Sequence, residues 1–113
     1  AAYFYDKMSV LVKNIRDELP DVEIMLISTS LPNKTAAAAA TGTPFFKEHD
    51  KFEPELKKIS DAYENVGLSN VTSLNAELLK RKRFRDMTGN NINHPNDYLA
   101  RLYAQVTIAS LGI

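Results

Sequence analysis

Residues 20–28, Pro20-Asp21-Val22-Glu23-Ile24-Met25-Leu26-Ile27-Ser28, decide the fold of this chain. From Glu23 to Ser28 the run has strand length and is apolar without alternation. A strand covered on both faces by helices has that pattern, so the stretch points to a parallel sheet. Pro20 ends an amphipathic helix in front of it. Phe4, Met8, Leu11, Val12, Ile15 and Leu19 recur at helical spacing, and Asp6, Lys7, Lys13, Arg16 and Asp17 fill the other face.

Working outward on the other side, residues 29–53 are irregular: Leu31-Pro32-Asn33, five alanines from Ala36 to Ala40, Gly42, Pro44, then Phe45-Phe46. Loops this long inside a domain are usually functional lids or poorly ordered. Pro54 suits the first position of a helix, whose apolar face is Leu56, Ile59, Tyr63 and Val66 and which Gly67 closes. Val71–Leu74 has the length of a short second strand. Asn75 then caps a helix to about Arg83, and the last helix buries Leu99, Leu102, Tyr103, Val106 and Ala109. The expected order is helix, strand, helix, strand, helix, helix, an α/β arrangement. Two short strands cannot bury the apolar faces of helices on both sides, so residues 1–113 are expected to be the back half of one larger alternating α/β domain.

The composition narrows the function classes. The 113 residues are 44% hydrophobic and 25% charged, enough for a modest core in a single domain. Lys plus Arg equals Asp plus Glu at 14 each, so no overall field attracts nucleic acid or an anionic membrane. Cysteine is absent, which excludes disulfide scaffolds, zinc-thiolate sites and cysteine nucleophiles. No apolar run approaches the roughly 20 residues that span a bilayer, and the N-terminus has no signal-peptide pattern. The compartment is left open between secreted and cytoplasmic.

The candidate site is His94, within Asp86-Met87-Thr88-Gly89-Asn90-Asn91-Ile92-Asn93-His94-Pro95-Asn96-Asp97. A histidine in a polar loop, just before a helix, can offer one ring nitrogen to a substrate while the other is fixed by a neighbour. Other features have ordinary readings. His49 between Glu48 and Asp50 is taken as solvent-exposed, because adjacent residues seldom converge on a metal. Ser28 and Ser30 end the first strand outside any Gly-x-Ser-x-Gly elbow and are taken as strand-end loop residues. Lys80-Arg81-Lys82-Arg83 with Arg85 is a solvated helix end. Phe45 and Phe46 either cover an apolar acyl or sugar-ester pocket or anchor the loop to the core.

Asn93-His94-Pro95-Asn96-Asp97, with Thr88-Gly89-Asn90 before it and Tyr98-Leu99-Ala100-Arg101-Leu102-Tyr103-Ala104 after, resembles the C-terminal block of the SGNH, or GDSL-type, hydrolases. In that family the block carries the catalytic histidine, a proline directly after it and the last helix. The helix, strand, loop, helix order of the rest is compatible with it. The resemblance implies a flavodoxin-like three-layer α/β/α sandwich with a parallel sheet, and serine-dependent hydrolysis of a carboxylic ester, an acylated carbohydrate among the candidates. His94 would be the base, no metal or organic cofactor is needed, and neither nucleic acid nor membrane is a partner. The family's Gly-Asp-Ser and Gly-x-Asn-Asp elements do not occur here. The nucleophile-bearing N-terminal half is therefore expected outside these residues, in the same parent chain or a partner fragment, and the chain alone is expected to be inactive. The family also places an aspartate three residues before the histidine, where this chain has Asn91. Either Asp86 reaches in, or the site works as a Ser-His dyad, or activity is weak. The reading from another class is a noncatalytic ligand-binding domain on the same fold.

Overall fold

Helical spacing in the first twenty residues produces α1 (Ala2–Glu18), which buries Val12. It ends at Leu19, whose φ of −131° and ψ of 79° leave the helical region ahead of Pro20, while its amide still bonds the Ile15 carbonyl at 2.8 Å. A computed structural model describes residues 1–36 and 48–112 of the chain. Phe45 and Phe46 lie outside the described residues, as do Ala37 to Ala40.

The apolar run forms β1 (Ile24–Ile27) as expected. A 3-10 turn at His49–Lys51 leads into α2 (Phe52–Ala62), and β2 (Val66–Ser69) follows. The two strands pair in parallel with Ile24 opposite Val66 and Ile27 opposite Ser69. Side chains alternate across a strand, so Ile24, Leu26, Val66 and Leu68 share one face. There they join Val12, Leu56 and Ile59 in the core, with Phe4, Tyr5, Met8 and Tyr63 packed around it. Phe4 of α1 stacks on Phe52 of α2 with ring centres 4.3 Å apart. The other face carries Met25, Ile27, Gly67 and Ser69. Against it lies α5 (Asp97–Ser110), joined to β2 by the hydroxyls of Ser69 and Thr107 at 2.9 Å. The chain is thus α/β, with a two-stranded parallel sheet among the described residues. No helix among them is long and apolar enough to cross a membrane.

The expectations about the middle of the chain need correction. The helix beginning near Pro54 does not run to Val66. Tyr63 is already extended, at φ −121° and ψ 138°, and Asn65 takes a left-handed φ of 58° that turns the chain into β2. Val66 keeps the helix's apolar spacing because it reaches the same core from the strand. Gly67 is a strand residue and stops no helix; a Cβ there would meet the methyl end of Met25 at 3.2 Å. Val71–Leu74 is not the second strand but the first turn of α3 (Val71–Leu78), since a short apolar run fits either element. Asn75 accordingly sits inside α3, fully buried, and caps nothing. A further short helix, α4 (Phe84–Met87), occupies part of the stretch expected to be polar loop.

Ile59 is completely buried between α2 and the sheet. Ile59→Ala should lower stability by about 3 kcal/mol in urea titration, the usual cost of an unfilled cavity at such a position.

Candidate functional site

The loop that carries His94 is closed at its base and shaped from within. Thr88 and Pro95 form an antiparallel bridge, the Gly89 amide bonds the His94 carbonyl at 2.8 Å, and the Asn96 amide bonds the Met87 carbonyl at 3.0 Å. Inside, the Asn90 Oδ1 accepts the amides of Ile92 at 2.9 Å, Asn93 at 2.9 Å and His94 at 3.0 Å. Asn90 also donates from Nδ2 to Asn93 Oδ1 at 3.1 Å. Asn91 takes a left-handed φ of 58°, a region that asparagine enters at little cost. Asn96 then caps α5: its Oδ1 accepts from the Leu99 amide at 3.1 Å, and its Nδ2 donates to the Asp86 carbonyl at 2.9 Å. His94 is exposed at the end of this construction. Among the described residues its ring has no hydrogen-bond or ion-pair partner.

Asp86 is engaged elsewhere. Its carboxylate accepts from the Arg83 amide at 2.8 Å and from the guanidinium at 3.2 and 3.4 Å, closing the start of α4. The Arg83 amide, then its side chain, hold the carboxyl below its ordinary range. The structure brings Asn91 next to His94 in the loop, but as the residue that makes the turn. Its carbonyl points back to the strand-end segment, where it accepts from Asn33 Nδ2 at 3.0 Å.

A second cluster, of which the sequence pointed only to Ser28, lies where both strands end. Glu53 in the first turn of α2 is only 8% exposed, and its carboxylate joins three elements. Ser28, just after β1, has its hydroxyl 2.7 Å from Glu53 Oε2 and 3.1 Å from the Ser69 carbonyl, with one hydrogen to share between them. The same Ser28 oxygen accepts the Thr72 amide at 3.0 Å. Ser73 of α3 gives Glu53 both its amide, at 3.1 Å, and its hydroxyl. Burial pushes the Glu53 carboxyl up, but hydrogen bonds, those from Ser73 and Ser28 foremost, outweigh it and leave the group below the usual carboxylate range. Nothing in the sequence separates this glutamate from an ordinary acidic residue in a first helical turn. The only signal is indirect: hydroxyl residues after both strands need a buried acceptor.

Ser28 is therefore no nucleophile. It is 2% exposed and held by three partners in the structure, so no substrate carbonyl can approach its oxygen. Beside Glu53 a surface cleft of about 560 Å³ opens, lined by Lys57, Ser60, Asn70 and Ser73 among others. His49 lies against Phe52 with ring centres 5.6 Å apart; burial and then Lys34 push its pKa down. No group of three or more histidines or acidic residues is placed to hold a metal ion among the described residues. In the basic cluster Lys80 pairs with Glu77 at 2.8 Å, and Lys82 lies over the Tyr98 ring at 4.9 Å.

A carboxylate with a depressed pKa stabilises the fold fully above its unfolded value of about 4.3, and that contribution is lost as pH falls through the folded value. Glu53→Gln should cost about 2 kcal/mol at neutral pH, because charged hydrogen bonds are replaced by neutral ones and one amide group is mismatched. It should also flatten the loss of stability as pH falls below the unfolded value of about 4.3, as followed by denaturant titration at each pH. Neither a family model, nor a curated protein, nor a solved structure matches the chain.

Proposed function

We propose that residues 1–113 are the histidine-bearing part of an SGNH-type ester hydrolase. In this reading, strands outside these residues complete a flavodoxin-like three-layer sandwich and bring the nucleophilic serine. The observation that carries it is the state of His94: an imidazole that is exposed and has no partner among the described residues, on a loop built by its own hydrogen bonds and tied to the segment that follows a parallel strand. The carboxyl ends of parallel strands are where α/β proteins assemble sites. The outer edge of β1 supports the incomplete sheet. Among the described residues β1 pairs only with β2, and Ile27, in a run patterned for burial, is 50% exposed.

His94 acts twice in this chemistry. It takes the proton from the serine hydroxyl as the oxygen bonds to the ester carbonyl, and returns it to the departing alkoxide, leaving an acyl-serine. It then takes a proton from water as water attacks the acyl carbonyl, and returns it to the serine oxygen as the acid leaves. Fixed donors for the oxyanion come from the same outside segments. The substrate class is a carboxylic ester, an acylated carbohydrate being one form. No metal or organic cofactor enters these steps.

In the parent hydrolase, His94→Ala should lower kcat on a chromogenic acetyl ester by about 10²- to 10⁴-fold, the range of general base catalysis. An unchanged rate rejects the assignment. The 113-residue chain itself should resist a fluorophosphonate serine probe, and stoichiometric labelling at Ser28 would place the nucleophile inside it.

A noncatalytic binding domain is the second reading, and one observation favours it. No carboxylate reaches the His94 ring among the described residues, since Asn91 is neutral and Asp86 is held by Arg83. Imidazolium formed there lacks the charge that normally stabilises it. A parent that leaves acetyl esters intact, yet melts at a higher temperature with an acylated sugar, would decide for this reading.

A further inference from the structure

The segment after β1 is pinned amide by amide. Ser30 donates its amide to the Tyr103 hydroxyl of α5 at 2.6 Å, and Leu31 donates to Asn75 Oδ1 of α3 at 2.7 Å. Pro32 has no amide to place. Asn33 donates to the Ile92 carbonyl of the histidine loop at 2.8 Å. The Thr29 carbonyl accepts the Thr72 hydroxyl. Every available amide from Ser30 to Asn33 is thereby bonded to a different part of the chain, and the segment forms a fixed rail along the strand ends.

Asn33 is the point where this rail meets the His94 loop, and it meets it twice. Besides its backbone bond to Ile92, its Nδ2 donates to the Asn91 carbonyl at 3.0 Å, while its Oδ1 accepts the Ala36 amide at 3.4 Å. The two loop carbonyls that it holds belong to the left-handed residue and its successor, the turn that sets where His94 emerges. Asn90 gives the loop its internal shape. It does not relate the loop to the sheet.

We infer that Asn33 is a positioning residue: through Asn91 and Ile92 it fixes His94 relative to the end of β1. The inference rests on the reading of His94 as the reactive group. It also has a physical content of its own, because removing one donor from Asn33 should loosen the loop against the strand ends whether or not the parent hydrolyses esters.

Asn33→Asp separates the two sides of the residue. An aspartate oxygen still accepts the Ala36 amide, but Nδ2 is lost and a carboxylate oxygen faces the Asn91 carbonyl. In the 113-residue chain the variant should melt close to wild type. The Ile92 and His94 amides should exchange about tenfold faster, and the Cε1–H resonance of His94 should shift and broaden. In the parent, kcat on the acetyl ester should fall about tenfold with KM unchanged, the signature of a misplaced reacting group. Should Asn33→Asp fail to fold, Asn33→Ser, whose shorter side chain lacks the Nδ2 amide that donates to the Asn91 carbonyl, carries the same test. Unchanged amide exchange and an unchanged His94 resonance overturn the inference. A parent inert toward esters, with the magnetic resonance response present, counts against the hydrolase reading and leaves Asn33 as the residue that positions the loop.

Discussion

The buried carboxylate of Glu53 is the constraint on which the rest of this structure depends. Two hydrogen-bonded strands give little cooperative strength, and their ends would fray without an acceptor to gather them. Glu53 stands on α2, the crossover helix between those strands, and binds the residue after β1 and the first turn of α3 at once. A buried ionised group is costly unless its hydrogen bonds are met, and here they come from hydroxyls and an amide, with no basic side chain involved. The tie is therefore geometric. It specifies where the strand ends, where the next helix starts, and hence the plane from which the following loops depart.

From that plane the candidate site is assembled in two steps that use different chemistry. Backbone amides of residues 30–33 are fixed by side chains from α3 and α5 and by the histidine loop itself. The histidine loop is then shaped by asparagines, which supply both acceptor and donor and tolerate left-handed backbone. Asn33, Asn90, Asn91, Asn93 and Asn96 serve these ends in turn. A loop rich in asparagine is thus an ordered scaffold here, with an exposed imidazole at its end.

The sequence made α1 and α5 legible by a helical period over enough residues and β1 by an unbroken apolar run of strand length, and it made the His94 loop legible as a polar interval before a helix. It misplaced β2 for a physical reason. Tyr63 and Val66 continue the helical spacing of α2 across a real helix end, so periodicity alone cannot see the break that Asn65 makes. Val71 and Thr72 are β-branched and buried, which suits a strand, yet they begin a helix whose first amides are taken by Ser28 and Glu53. The roles of Glu53, Asn75 and Asn33 were hidden for one shared reason. Each bonds a partner more than fifteen positions away, and no local pattern carries that distance. Asp86 differs: its partner Arg83 is a local neighbour at the start of α4, and that bond competes with any role at the histidine.

The bridge between Thr88 and Pro95 has a consequence for how this region can change. Among the described residues, the bonds that give the turn from Gly89 to His94 its internal shape lie within the segment from Met87 to Asn96, and Asn33 adds its docking bonds to the Asn91 and Ile92 carbonyls, so little loop entropy opposes closure. The segment is in effect a cassette. Its backbone can persist while surrounding helices drift in sequence, and only the docking through Asn33 has to be matched anew when the cassette is moved to another strand end.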